Sequence, residues 1–386
     1  MRGLRKHAWQ RVGYGLLVLL GGCGSTVKDS TFQGPGGGTT SSPADASSAT
    51  TKPAGVADNV AQLACGDFHS CARMNDGTVR CWGRDRDGEL GDKGAAGDHP
   101  SPMVVAGLSG VEEIALGSSF SCARMKDHTV KCWGSGKIGG DTKDVVKSAP
   151  IQVAGITGAV ELKAGGYIAC VRTEAGAVKC WGDESVKKGA PTTGAVEIAA
   201  AGVHACARMA DGTAQCWGDG PWAAAAHPSF AKPAITGATS LSTGDAFACA
   251  VIAGGSVSCW GRNDQGELGT NPDEDNHAQP VAVRGILGVV KLFSAESHTC
   301  ALGPDGKAQC WGANEEGELA RPVGRTTQEL AGPVSGLGLV AEIAPGADHL
   351  CARTKSGTAS CWGNNKSGQV GDGTTERKAT PTRVAF

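Results

Sequence analysis

The stretch Phe68-His69-Ser70-Cys71-Ala72-Arg73-Met74-Asn75-Asp76-Gly77-Thr78-Val79-Arg80-Cys81-Trp82-Gly83 reads as a β-hairpin. Asn75-Asp76-Gly77 fits a three-residue loop, a type I turn followed by glycine in the left-handed region, which pairs 74 with 78 and hence Cys71 with Cys81. The hairpin recurs. Its cysteines return as Cys122 and Cys132, Cys170 and Cys180, Cys206 and Cys216, Cys249 and Cys259, Cys300 and Cys310, and Cys351 and Cys361, each second cysteine followed by Trp-Gly. First cysteines lie 51, 48, 36, 43, 51 and 51 residues apart, so the unit keeps its length at both ends of the array and erodes in the middle.

Each copy carries four short strands, most legible as Pro102 to Val105, Val111 to Leu116, Phe120 to Met125 and Thr129 to Trp133. Four strands in each of seven units is the pattern of an all-β, seven-bladed β-propeller. The link before Val111 is short and the link after Trp82-Gly83 is long, which suggests that the long link crosses between blades. On that phase the Pro-x-x-Val strand opens each blade, and Pro381-Thr382-Arg383-Val384 closes the ring by completing the first. The middle copies are shortened. Copy 3 has only Asp183 to Pro191 for a crossing loop and an outer strand, so a neighbouring blade is expected to be three-stranded.

Facing cysteines at a non-hydrogen-bonded pair come within disulfide range, giving one intra-blade bridge per copy. Metal binding by His69, His204, His298 and His349, each two residues before a cysteine, is set aside because Phe120, Ile168 and Phe247 fill the same slot elsewhere. The slot is read as packing, with no metal and no cofactor. Cys65 stands outside the pairing and is read as a small buried hydrophobe.

Residues 1–22 resemble a lipoprotein-type signal peptide: Arg2, Arg5, Lys6 and Arg11 precede the short apolar run Leu16 to Leu20. Leu20-Gly21-Gly22-Cys23 resembles a lipobox, which makes Cys23 the expected lipidated N-terminus. Residues 23–57 then form a flexible Gly/Ser/Thr/Pro linker, and 58–386 the propeller. The expected location is the bacterial cell envelope, with the outer membrane or cell surface favoured and the lipid as the sole membrane contact. An exported chain meets oxidising conditions, in keeping with the disulfides.

The unit resembles the repeat of the regulator of chromosome condensation (RCC1) family. Gly66, His69-Ser70, Asp76-Gly77, Trp82-Gly83 and Gly88-Glu89-Leu90-Gly91 carry the likeness. So do Trp260-Gly261-Arg262-Asn263 with Gly266-Glu267-Leu268-Gly269, and Trp362-Gly363-Asn364-Asn365 with Gly368-Gln369-Val370-Gly371. Copy 6 keeps Gly317-Glu318-Leu319 but ends in Ala320, and copies 2, 3 and 4 lose the turn. The paired cysteines resemble the bacterial secreted branch of the family. The wedge and basic tail on which nucleotide exchange on the GTPase Ran depends have no counterpart here, whereas a secreted member that inhibits β-lactamases implies that rim loops grip another protein.

The net charge is −2, or −6 without the four basic residues of 1–22, so no basic surface is available for nucleic acid. Phosphate-binding, zinc-protease and serine-hydrolase motifs are absent. The acidic stretch Asp273-Glu274-Asp275-Asn276-His277 lacks calcium-loop spacing and reads as a solvated insertion. Trp222, outside both the Trp-Gly positions and the leader, is the candidate binding anchor. The expected protein is a non-catalytic, monomeric envelope lipoprotein that binds an unidentified protein partner. One alternative is glycan binding or hydrolysis at a rim site using Glu89, Glu267, Glu315 and Glu318; the other is guanyl-nucleotide exchange by family analogy.

Overall fold

The computed structural model describes residues 58–94, 97–140, 144–219, 230–231, 233–322 and 328–386. The proposed leader, Cys23 and the linker lie outside the described residues, as does Trp222. Seven antiparallel sheets form the ring. Blade 1 runs from its inner to its outer strand as Val60–Cys65, His69–Met74, Val79–Gly83 and His99–Val104, and blade 7 as Val340–Pro345, His349–Thr354, Ala359–Gly363 and Lys378–Arg383. Blade 3 has three strands, Ala159–Gly165, Ile168–Thr173 and Val178–Gly182, with the short 3-10 helix Glu184–Lys187 after them. Blade 4 keeps a two-residue outer strand, Phe230–Ala231. Among the described residues no helix is long and apolar enough to cross a membrane.

The blade phase differs from the expectation. The Pro-x-x-Val strand is the outer strand of the blade before it, so Lys378–Arg383 completes blade 7 and not blade 1. The crossing from outer to inner strand is the short link, residues 105–110. Three strand spacings are roughly 14 Å, and six extended residues reach about 20 Å, so a short link suffices. The long link stays within a blade, where it folds into the Gly-x-Leu-Gly turn.

All seven cysteine pairs are disulfides, with Cα separations of 4.0 to 4.1 Å, each joining the second and third strands of its blade in direct register. Each closes a small loop and contributes about 2–3 kcal/mol in the chain-entropy model. The apolar core is divided into seven clusters, each shared by two adjacent blades. Stability therefore resides largely between blades.

Two polar layers join the blades. Near the channel, side chains of one inner strand hold the backbone of the next: Gln62 exchanges two bonds with Ile114, and Glu113 accepts from the Leu162 N–H at 2.8 Å. Glu342 accepts from the Leu63 N–H at 3.0 Å, which closes the circle. Deeper, Ser121 Oγ donates to the Glu89 carbonyl at 2.9 Å, so the His69 Nε2–H donates to Ser121. His349, Ser70 and the Gln369 carbonyl repeat the relay from blade 7 to blade 1. Hydroxyls of the next blade thus hold the Nε2 atoms of these two histidines.

The C-terminus does close the ring, by packing instead of strand exchange. Val384 enters the cluster between blades 7 and 1, Phe386 meets Trp82 edge-on at 5.7 Å, and Arg383 pairs with Asp58 at 2.8 Å. Deleting 384–386 is expected to cost roughly 3 kcal/mol and to lower a single cooperative unfolding transition. Amide exchange confined to frayed terminal residues would contradict this.

Burial pushes His69, His204 and His349 down to about 3 and His298 to about 4. They are neutral in the fold and protonated once unfolded below 6.5, so unfolding takes up protons and their contribution is lost as pH falls. Each adds about 1.4 kcal/mol per pH unit between roughly pH 6 and 4. The double change His69→Phe and His349→Phe, which installs the residue of blades 2 and 5, is expected to flatten the acid side of the stability profile by two protons. Urea titrations across that range measure it.

Candidate functional site

Loops joining the first and second strands gather at one end of the channel. They enclose a cavity of about 210 Å³, lined by Cys65, Asp67, Asp245 and Glu296 among small residues. With Asp348 these acids come from blades 5, 6, 7 and 1, a continuous arc. Glu296 is pushed up to about 7 by burial and then by Asp348, Asp67 and Asp245. Burial likewise raises Asp67, Asp245 and Asp348. The nearby arginines are already engaged: Arg84 pairs with Glu89 at 2.7 Å and bonds Ser119, while Arg262 pairs with Asp264 and Glu267 and bonds Ser297. The mouth is therefore a field of crowded carboxylates that attracts cations.

Beside it lies a cleft created by a missing turn. Where the Gly-x-Leu-Gly turn is present, its central carbonyl caps the indole of the next blade: Glu89 accepts from Trp133 at 2.8 Å, Glu267 from Trp311 at 2.9 Å, Glu318 from Trp362 at 2.7 Å and Gln369 from Trp82 at 2.8 Å. Blades 2, 3 and 4 lack the turn, and the Nε1 atoms of Trp181, Trp217 and Trp260 have no hydrogen-bond partner among the described residues. Val186 of the 3-10 helix packs with Trp217. Over Trp181 a cleft of about 380 Å³ remains, lined by Phe120, Lys137, Ile138, Tyr167 and Asp183. Tyr167 is 67% exposed and borders both the cleft and the channel mouth.

The rim carboxylates named from sequence do not share this site. Glu89, Glu267 and Glu318 are buried, and each accepts the backbone N–H two residues earlier in its own turn. Glu315 is exposed on blade 6. In the acidic insertion, Asp273 accepts from Asn263 and pairs with His277 at 2.9 Å, closing its own loop. Burial pushes the Cys65 thiol up to about 12, which leaves it protonated at neutral pH. Sequence reasoning passed over the mouth acids and Tyr167. The signal was present as an acid two residues before the His/Phe slot in copies 1, 5 and 6, and one residue before it in copy 7.

Comparison with known proteins agrees with the repeat. Models described as the regulator of chromosome condensation (RCC1) repeat match residues 60–89, 111–137, 254–302 and 340–369. A probable E3 ubiquitin-protein ligase HERC6 of Homo sapiens is 31% identical over 130 residues, which covers 32% of this chain and 13% of that protein. The ultraviolet-B receptor UVR8 of Arabidopsis thaliana is 33% identical over 82 residues, covering 21% and 18%. The chain thus spans less than a fifth of the length of either. Among solved structures, Prp20p from Saccharomyces cerevisiae, described with its binding to Gsp1p and histones, has a TM-score of 0.68 at 18% identity, covering 82% of this chain and 86% of its own. Yeast RCC1 (Prp20) in complex with Kap60 has a TM-score of 0.69 at 18% identity, covering 90% and 91%. At these identities the likeness is one of fold. The chain carries repeats like those of the regulator of chromosome condensation (RCC1), closed into a seven-bladed propeller whose blades are each pinned by a disulfide.

Proposed function

We propose that this protein is a non-catalytic binding propeller of the bacterial cell envelope, lipid-anchored through Cys23, which grips a protein partner with its channel-mouth face. One observation carries the reading: the exposed Tyr167 stands between a carboxylate-lined mouth and a cleft where Phe120, Ile138 and Trp181 lie beside Lys137 and Asp183. A protein segment with a lysine or arginine beside an apolar side chain matches all three parts, the cation in the mouth, the apolar group over Trp181 and the aromatic edge between them. Solved propellers of this fold are described with bound proteins, which supports a protein ligand by analogy of fold alone. Hydrolysis by Glu89, Glu267 and Glu318 is disfavoured by their burial and their engagement in turns. Nucleotide exchange has no support in the site.

A photo-cross-linking residue at position 167 of the anchored, full-length protein is expected to capture one envelope protein. Tyr167→Ala is expected to weaken the isolated complex about tenfold, and raising salt from 0.05 to 0.5 M to weaken it further by screening the mouth. Capture that ignores both changes would refute the assigned face. Enrichment of glycan in place of protein would refute the protein reading.

A further inference from the structure

The asparagine of the Trp-Gly-x-Asn pattern has one job repeated in three blades. Its Oδ1 accepts the N–H five residues on, from Leu268, Leu319 and Val370 at 3.2, 3.0 and 2.9 Å. Its Nδ2 is the donor that neutralises the loop's acceptors: Asn263 donates to Asp273 and the Asn271 carbonyl, Asn314 to the Pro322 carbonyl, and Asn365 to Asp372 and the Glu376 carbonyl. In blade 7 Lys378 adds a cation, 3.0 Å from Asp372.

Blade 1 keeps the loop and loses both donors. Asp85 replaces the asparagine, and its Oδ1 still accepts from the Leu90 N–H at 3.0 Å. Its other oxygen now stands where the amide nitrogen would be, turned toward Asp92, the counterpart of Asp372 by its place after the Gly-x-Leu-Gly turn. His99 stands where Lys378 does, each opposite the glycine of its own Trp-Gly. The Asp92 side chain is 1% exposed; its Oδ1 accepts from the Gly94 N–H, but its Oδ2 has no hydrogen-bond partner. His99 Nε2 lies 3.7 Å from that oxygen, also without a hydrogen bond. One ligand atom from each of Asp85, Asp92 and His99 lies within 4.8 Å of the others.

We propose that Asp85, Asp92 and His99 bind a first-row divalent cation, which takes the place of the amide and ammonium donors of blade 7. Two carboxylates and an imidazole are a ligand set suited to zinc or manganese. Tetrahedral ligands about 2.0–2.2 Å from zinc are roughly 3.3–3.6 Å apart, close to the His99–Asp92 separation. The His99 side chain is 30% exposed, while its Nε2 is buried against the two carboxylates.

The test is equilibrium dialysis of the chelator-treated full chain against Zn²⁺ at pH 7.5, with thermal melts alongside. One Zn²⁺ per chain and a rise in Tm are expected for the parent. The variant Asp85→Asn with His99→Lys rebuilds the blade 7 arrangement, so its metal-free Tm should equal or exceed the parent's while Zn²⁺ affinity falls at least about tenfold, or about 1.4 kcal/mol. Asp92→Asn gives an independent loss of affinity. A parent that binds neither Zn²⁺ nor Mn²⁺ would overturn the proposal, leaving a shared proton between the carboxyls. So would equal binding by the rebuilt variant, which would place the ion elsewhere, such as the channel mouth.

Discussion

A tryptophan indole buried at the seam between blades must find an acceptor there, because water does not reach it, and the intact part of the ring is organised around supplying one. An unmet buried donor costs about 1–3 kcal/mol. The turn of the preceding blade meets the need with a single carbonyl, and in two seams the same carbonyl also receives the serine hydroxyl of the His–Ser relay. Glycine makes the approach possible: a Cβ on Gly371 would lie 2.6 Å from Trp82 Nε1, and one on Gly91 would lie 2.9 Å from Trp133 Nε1. Blade 6 places Ala320 at this position and holds it at φ 51°, a left-handed conformation that L-residues other than glycine adopt at a cost. The seam is retained despite that cost.

Much of this was legible because each repeated residue has one dominant physical job. The ten-residue cysteine spacing and the Asp-Gly turn specify a hairpin register, and seven copies specify a ring. Blade phase was not legible from link length. A short link can join neighbouring strands or cross a blade, and only the side-chain clasps and the shared core clusters distinguish the two. A missing strand was legible, since the nine residues from Asp183 to Pro191 cannot hold both a turn and a strand, but the phase error assigned the loss to a neighbouring blade and the structure places it in blade 3 itself.

The site was less legible, for a physical reason. The carboxylates that recur, Glu89, Glu267 and Glu318, are buried parts of the turn, and their recurrence reflects that structural job. Residues that vary between copies at one structural position carry the individuality of the face: Asp67, Ser118, Gly166, Gly202, Asp245 and Glu296 occupy equivalent places, and only some are acids. Asp85 follows the same logic against Asn263, Asn314 and Asn365. The histidines beside the cysteines drew the metal question because they recur, yet the ligand set worth testing arises where a recurrent asparagine is absent.

The eroded arc and the acidic arc are complementary halves of the ring. Blades that keep the turn also supply the carboxylates, and their seams are capped, clasped and filled. Blades 2, 3 and 4 surrender the turn and leave three indoles uncapped among the described residues, a deficit of several kcal/mol by the estimate above. Disulfides within those same blades, at about 2–3 kcal/mol each, are large enough to offset it without restoring the seam. A ring so reinforced tolerates a gap between two blades. That gap lies over Trp181 beside Tyr167, on the layer that the Gly-x-Leu-Gly turn seals in four other seams.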